Sequence, residues 1–185
     1  MKRTIIIILI LLNVAATFIY SQGLTTPEKG KALVYFVRLM GWKIDLFHQD
    51  KCIGNVSPNQ YLTYSCSPGT QLFWASYNNI EFLTADLKEG CSYLVLVRPV
   101  TGFIKTHVEL LPLTAANEEF FTKAKKLIDK KKPNTFSESE INEKNVKLES
   151  FIKDNLTKYD IEWKGVRHFK NISEDMCLPI SEFNK

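Results

Sequence analysis

The chain reads as an α+β protein, an antiparallel β-sandwich of about seven or eight short strands followed by two C-terminal helices and a loosely ordered tail. Three observations predict this. Runs of β-branched and aromatic residues recur roughly every ten residues as far as Thr114, separated by turn-forming residues and without a helical period. Beyond Thr114 the apolar residues return at three- and four-residue spacing. The composition changes at the same place, because residues 22–114 hold 15 charged side chains and the shorter stretch 115–185 holds 27.

The first element is not part of the fold. Lys2 and Arg3 precede an unbroken apolar run over residues 5–12, which continues less purely to Tyr20 before Ser21, Gln22 and Gly23. This is the layout of a secretory signal peptide over residues 1–21, with Ile19 and Ser21 suited to the positions before the cut and Gln22 as the new N-terminus. Val14 and Ala16 offer a second cleavage site. The competing reading is an uncleaved inner-membrane anchor, against which Asn13 and Thr17 count because polar side chains are costly in hydrocarbon. The first Cys is Cys52, so no lipid-accepting Cys follows the apolar run. Either reading places the rest of the chain outside the cytoplasm, in the periplasm or beyond, and the protein meets a membrane only if the segment is retained.

Residues 22–114 form the predicted β-sandwich domain. Residues 32–39 (ALVYFVRL) are one strand, and after Gly41 the series Trp42, Ile44, Leu46, His48 alternates with Lys43, Asp45, Phe47, the period of a half-buried strand. A turn near Gln49 and Asp50 follows. Residues 52–56 and 61–66 flank Ser57, Pro58, Asn59 and Gln60, which predicts a hairpin. Ser67-Pro68-Gly69-Thr70 has the Pro and Gly placement of a type II turn and implies another hairpin. Strands over 71–76 and 80–87 come next, then a turn at Lys88, Glu89 and Gly90, a strand over 92–98, and a last alternating run through Ile104, Thr106, Val108 and Leu110.

Residues 115–164 are the helical appendage. Phe120, Phe121, Ala124, Leu127 and Ile128 form one apolar stripe, with Glu118 and Glu119 in the first turn and Lys130, Lys131 and Lys132 in the last, as the helix dipole favours. Pro133 ends this helix. Ser137 with Glu140 is a capping-box pattern opening a second helix through about Leu156, with Ile141, Leu148, Phe151, Ile152 and Leu156 as its stripe. Each stripe needs a partner, either the other helix or an open face of the sandwich. Tyr159, Ile161 and Trp163 alternate with Asp160, Glu162 and Lys164 and predict one added strand. Residues 165–185 are the tail.

The order of ALVYFVR, LFHQDKCIGNV, QYLTYSC, SPGTQLFWAS and LKEGCSYLVLV resembles the domain of unknown function 2846 of bacterial envelope proteins and lipoproteins, over residues 31–113. Its marks here are Gly54, Tyr61 or Tyr64, the Pro68-Gly69 turn, and Gly90 followed by a strand containing Tyr93. The resemblance implies a β-sandwich outside the cytoplasm and brings no established activity. The chain departs from the lipoprotein members by lacking the lipid-accepting Cys.

Charge and motifs narrow the function classes. With Lys2 and Arg3 removed, 22 basic residues face 20 acidic ones, without the basic surplus that nucleic-acid recognition rests on. Lysines 123, 125, 126, 130, 131 and 132 raise a membrane-surface reading, but Glu118, Glu119 and Asp129 share the helix and make it a solvated face. The sequence carries no nucleophile elbow, phosphate loop or dinucleotide fingerprint, and His48, His107 and His168 lie on separate elements without metal-ligand spacing. No catalytic, metal or cofactor residue is assigned. Cys66 or Cys91 with a distant His is the one nucleophilic arrangement the residue types allow.

Two sets of residues remain. In an exported chain Cys52, Cys66, Cys91 and Cys177 are read as disulfides. The short loop over 57–61 favours Cys52 with Cys66, and Cys91 with Cys177 is then the remainder. Among the aromatics, Phe73 and Trp74 are consecutive and point to opposite faces of a strand, so Trp74 and Tyr77 are the candidate ligand platform unless the helices cover that face. The sequence thus points to a non-enzymatic binding or scaffolding module whose partner is another envelope protein or an envelope glycan. The rival is an enzyme whose site is assembled from distant residues.

Overall fold

The computed structural model describes residues 23–102, 105–179 and 182. The export segment over 1–21 and the start at Gln22 lie outside them. Eight strands precede the helices: β1 (Ala32–Arg38), β2 (Ile44–His48), β3 (Lys51–Val56), β4 (Gln60–Cys66), β5 (Gly69–Ser76), β6 (Ile80–Leu87), β7 (Ser92–Thr101) and β8 (Thr106–Leu113). Helices α1 (Glu118–Lys130) and α2 (Glu138–Lys158) follow, and a short ninth strand, β9 (Lys170–Ile172), comes after them. The strands form a four-stranded sheet in the order β4-β1-β7-β8 and a five-stranded sheet in the order β3-β2-β5-β6-β9. All neighbours are antiparallel except β1 with β7 and β6 with β9.

Period-two alternation sorts the side chains into three apolar clusters. Val34 and Phe36 of β1, Ile44 and Leu46 of β2, Phe73 and Ala75 of β5, and Tyr93, Val95 and Val97 of β7 meet between the sheets. The opposite face of the first sheet, with Tyr35, Val37, Tyr61, Leu94 and Leu96, is covered by Phe121, Ala124 and Ile128 of α1. The opposite face of the second, with Phe47, Trp74 and Phe82, is covered by Leu148, Ile152 and Leu156 of α2. The helices therefore part company and take one sheet each, giving four layers with a helix on either outside. Both stripes read from the sequence find the sandwich, and the Ser137–Glu140 capping box forms as expected, with Ser137 N–H donating to Glu140 Oε2 at 2.8 Å.

The segment joining the helices closes the seam between the sheets. Asn134 N–H donates to Tyr61 O at 2.7 Å on the edge strand of one sheet, and its side-chain Nδ2 donates to Asn55 O at 3.0 Å on the edge strand of the other. Phe136 then packs directly on Gly54. A Cβ at Gly54 would stand 2.6 Å from the Phe136 ring, and the φ of +132° there adjoins a bulge in β3 at Ile53, where the register with β2 shifts between Leu46 and Phe47. Asn145 of α2 completes the seal by mimicking a strand: Oδ1 accepts from Cys52 N–H at 2.7 Å and Nδ2 donates to Cys52 O at 3.2 Å.

Four local expectations are corrected. The predicted hairpin of β3 and β4 does not form, because residues 57–59 carry the chain from one sheet to the other, and β4 pairs with β1 instead (Ala32↔Cys66, Arg38↔Gln60). The hairpin implied at Ser67–Thr70 does not form either, because the chain crosses back there and β5 pairs with β2 and β6. The strand expected at residues 159–164 is a π-helical turn, Tyr159–Trp163, which continues α2 and sets Tyr159 and Trp163 against Phe82. The added strand is β9, inside the segment read as tail, paired in parallel with β6. Among the described residues no helix is long and apolar enough to cross a membrane.

Candidate functional site

The two ends of the sandwich are built from different materials. At one end lie the β2–β3, β4–β5 and β6–β7 turns, where Cys91 is bonded to Cys177 across a Cα–Cα distance of 5.3 Å. Leu178 N–H donates to Ser92 O beside that bond, so the C-terminal segment is held to the sandwich by covalent and backbone links together. At the other end the β1–β2 and β5–β6 loops meet. Trp42 stacks on Tyr77 with ring centroids 5.4 Å apart and planes 12° from parallel.

That aromatic pair is at the surface. Trp42 is 52% exposed and Tyr77 37%, and Met40 at 66% and Val100 at 37% add exposed apolar area on the adjoining loop and strand end. The β5–β6 loop beneath Tyr77 is fixed: Asn78 Nδ2 donates to Thr106 O at 3.1 Å, and Asn79 holds Val108 twice, accepting from its N–H at 2.7 Å and donating to its carbonyl at 3.1 Å. An exposed ring on an anchored loop is a preformed contact, because little freedom remains to be lost on binding.

Behind the rings lies a charge. Arg38 continues the Val34, Phe36 face of β1, so strand alternation aims it between the sheets, and it is 1% exposed. Its Nη1 donates to Val97 O at 3.1 Å, while Nε is buried without a hydrogen-bond partner among the described residues. Burial pulls the guanidinium down to about 10, an effect that the neighbouring Tyr77 partly offsets. It remains a cation at neutral pH. Gly41, with φ +99°, packs on it so closely that a Cβ there would lie 2.6 Å from Nη2.

The residues proposed from sequence fall on both sides of this division. Tyr77 is at the surface as expected. Trp74 is not: it is fully buried, stacked on Phe47 at 3.7 Å, 6.0 Å from the Phe151 ring of α2, and it donates its indole N–H to Gln49 O at 2.9 Å. The platform reading of Trp74 is therefore withdrawn, because α2 covers the face it occupies. Of the disulfides, Cys91–Cys177 is present and Cys52–Cys66 is not. Cys52 points into the cluster under α2 and Cys66 into the space between the sheets, so with β3 and β4 in different sheets their side chains face different layers.

The thiol and imidazole chemistry separates in the same way. Burial pushes the Cys66 thiol up to about 11, against the pull of Lys31, so it is protonated at neutral pH, and Cys91 is committed to its bridge. His48 sits in a side-chain network at the stapled end: Nε2 lies 2.7 Å from Gln71 Oε1 and Nδ1 lies 3.0 Å from Tyr64 OH. Gln71 Nε2 donates to Ser67 O, which fixes its amide orientation and makes Nε2 of His48 the donor and Nδ1 the acceptor. Burial holds His48 below its usual value, with the Gln71 bond and Asp50 opposing and Lys51 assisting. The 700 Å³ groove along α2, lined by Asp50, Asn145, Glu149, Lys153 and Asp160 among others, includes neither His nor Cys. Among the described residues no group of three or more His, Cys, Asp or Glu could hold a metal ion.

Sequence reasoning missed Trp42 and Arg38. Trp42 was assigned to the buried face of β2, but β2 begins at Ile44 and Gly41 turns the chain so that the indole leaves the sheet. Arg38 did carry a signal, since counting by twos from Val34 and Phe36 places it inside. No family model and no curated protein matches the chain.

Proposed function

We propose that this chain is an exported envelope protein that works by binding, with the Trp42–Tyr77 end of the sandwich as its contact surface. The observation that carries the reading is the exposed, stacked aromatic pair, with Tyr77 on an anchored loop, since aromatic side chains are the residues that most often supply binding energy at contact surfaces. Export is supported by the basic and apolar N-terminus and by the Cys91–Cys177 bond, which persists in oxidising compartments. The resemblance to the domain of unknown function 2846 points to the same compartment. Its partner is an envelope glycan or another envelope protein.

Co-sedimentation with the insoluble glycan fraction and with detergent-solubilised envelope proteins tests this reading. The doubly substituted Trp42→Ala, Tyr77→Ala protein should lose at least tenfold in retention on one of the two, while a Lys123→Ala control on α1 keeps it. Equal retention of all three proteins would remove the loop end as the contact surface. N-terminal sequencing of the native protein gives the export half: a start at Gln22 is expected, and a retained Met1 would show an anchored protein instead.

A further inference from the structure

The geometry points to a carboxylate-bearing sugar as the ligand of this end, with Arg38 receiving the carboxylate and Trp42 or Tyr77 receiving the ring. The inference rests on the contact surface proposed above and adds its chemistry.

Arg38 supplies the first half. A buried guanidinium without a carboxylate is an incomplete arrangement, because removing a cation from water is repaid only by a partner charge or a full set of hydrogen bonds. Among the described residues no acidic side chain bridges to Arg38; the ion pairs of this molecule involve Arg98, Lys123, Lys125, Lys144, Lys164 and Lys170. Among the described residues its hydrogen bond uses Nη1, Nε has no partner, and Nη2 lies beside Nε on the remaining edge. Those two N–H groups form the parallel fork that matches the two oxygens of a planar carboxylate. Gly41 packs against Nη2 and brings no side chain of its own to it, with the Pro99 ring adjoining. Entry requires the loop over 39–43 to lift, and Trp42 rides on the same loop, so a ring settling on Trp42 and an acid reaching Arg38 are one motion.

The surroundings select the rest of the ligand. An extended peptide docks by pairing with a free strand edge. Of the four edges, β3 is engaged by Asn145, β4 by Asn134 and β8 by Asn79, and the fourth, β9, is only 3 residues long. What the loop end offers is two nearly parallel aromatic rings beside a carboxylate fork. Aromatic faces take up the C–H face of a pyranose, and an acid on that pyranose reaches the guanidinium. A peptide C-terminus shares the carboxylate but not the flat ring, and it becomes the competing outcome.

The test uses methyl glucuronide and methyl glucoside, which differ in having a carboxylate or a hydroxymethyl group, titrated into isotope-labelled protein over residues 22–185. The Arg38 Nε–H and Trp42 indole N–H resonances report separately on fork and ring. Methyl glucuronide should shift both and bind at least tenfold more tightly than methyl glucoside. Arg38→Lys, which keeps the charge and loses the fork, should abolish that preference while the Trp42 signal still responds. Arg38→Met should likewise lose the preference and raise the melting temperature, since it removes an unpaired buried cation. Equal binding of the two sugars, or a preference that survives in Arg38→Lys, overturns the inference and leaves the contact surface standing. No shift of Trp42 with either sugar or with N-acetylphenylalanine removes the surface as well. Tighter binding of N-acetylphenylalanine than of methyl glucuronide assigns the fork to a peptide terminus and overturns the sugar. A fall in melting temperature for Arg38→Met with unchanged preference marks Arg38 as structural and overturns the proposal.

Discussion

The two ends of the sandwich face the same problem, the termination of two sheets, and solve it differently. At the Cys91–Cys177 end the β6–β7 turn is cross-linked to the C-terminal segment, Leu178 N–H donates to Ser92 O, and His48, Tyr64, Gln71 and Gln49 satisfy one another. At the Trp42 end apolar rings stand in water and a buried cation lacks a partner at Nε. The first end shows what this chain does when stability alone is at stake. The second departs from that pattern, and such departures concentrate where a protein meets its ligand.

The largest test of this contrast is the bridge itself. In the chain-entropy model a closed loop of this length stabilises by about 4.5 kcal/mol, a large share of the total for one domain. Cys91→Ala with Cys177→Ala, or wild type under reductant, should therefore lose about that much in equilibrium denaturation, with sugar binding at the other end unchanged in the folded fraction. Alkylation under denaturing, non-reducing conditions should label two thiols, Cys52 and Cys66; four would show that the bridge does not form.

A smaller loss is expected at Asn145. Its side chain meets both backbone groups of Cys52, so Asn145→Ala strands a buried donor and an acceptor on an edge strand, at a cost of about 2 kcal/mol. Asn145→Leu should be no better, because the missing groups are polar. A loss below about 0.5 kcal/mol in urea denaturation would show that water replaces the amide without penalty.

How these devices could be read in advance differs by kind. Strands β1 to β8 and both helices were legible because their periods of two and 3.6 are written locally, and the capping box at Ser137 and Glu140 is a short-range signal. What was not legible depended on which sheet a strand joins. The sequence 57–60 looks like a hairpin loop whether the chain doubles back or crosses to the other sheet, and that one ambiguity carried the Cys52–Cys66 pairing with it. Trp74 was ambiguous for a related reason: consecutive aromatics must face both ways, and only the arrival of α2 decides that both are buried. Asn134 and Asn145 gave no signal, since an Asn before a helix or within one has many ordinary roles.

Acid distinguishes the two ends further. Burial depresses the His48 pKa, so the folded protein holds the imidazole neutral while the unfolded chain takes up a proton near pH 6.5. The unfolded state thus binds more protons in that window. The stability tied to a neutral His48 is complete above pH 6.5 and falls away as the pH drops through the lower folded value. Glu109 acts in a more acidic window. Burial alone would raise its pKa, but hydrogen bonds from Lys170 and Arg98 outweigh that and hold it below the usual carboxylate value, so its contribution is lost only as the pH falls below about 4.5. Denaturation midpoints at pH 7.5, 6.5 and 5.5 should decline, and His48→Gln should flatten the decline. An equally steep decline in that variant would place the titrating group elsewhere. Arg38 does not change charge anywhere in this range, so the sugar preference proposed for the loop end should be the same at all three pH values in the folded protein.

The smallest stability effect carries the most functional weight. Trp42 projects from the β1–β2 loop and contributes to none of the three apolar clusters, so Trp42→Ala should shift the denaturation midpoint by less than about 0.5 kcal/mol equivalent. Trp74→Ala, by contrast, empties a cavity beneath α2 and should cost about 3–5 kcal/mol. The same residue type at two positions thus separates holding the fold from using it. If Trp42→Ala were as destabilising as a core truncation, its stack on Tyr77 would be a structural clasp for the loops, and the surface would lose the reason for calling it a site. If it leaves stability alone and removes binding, the ring is there for something that comes from outside the chain.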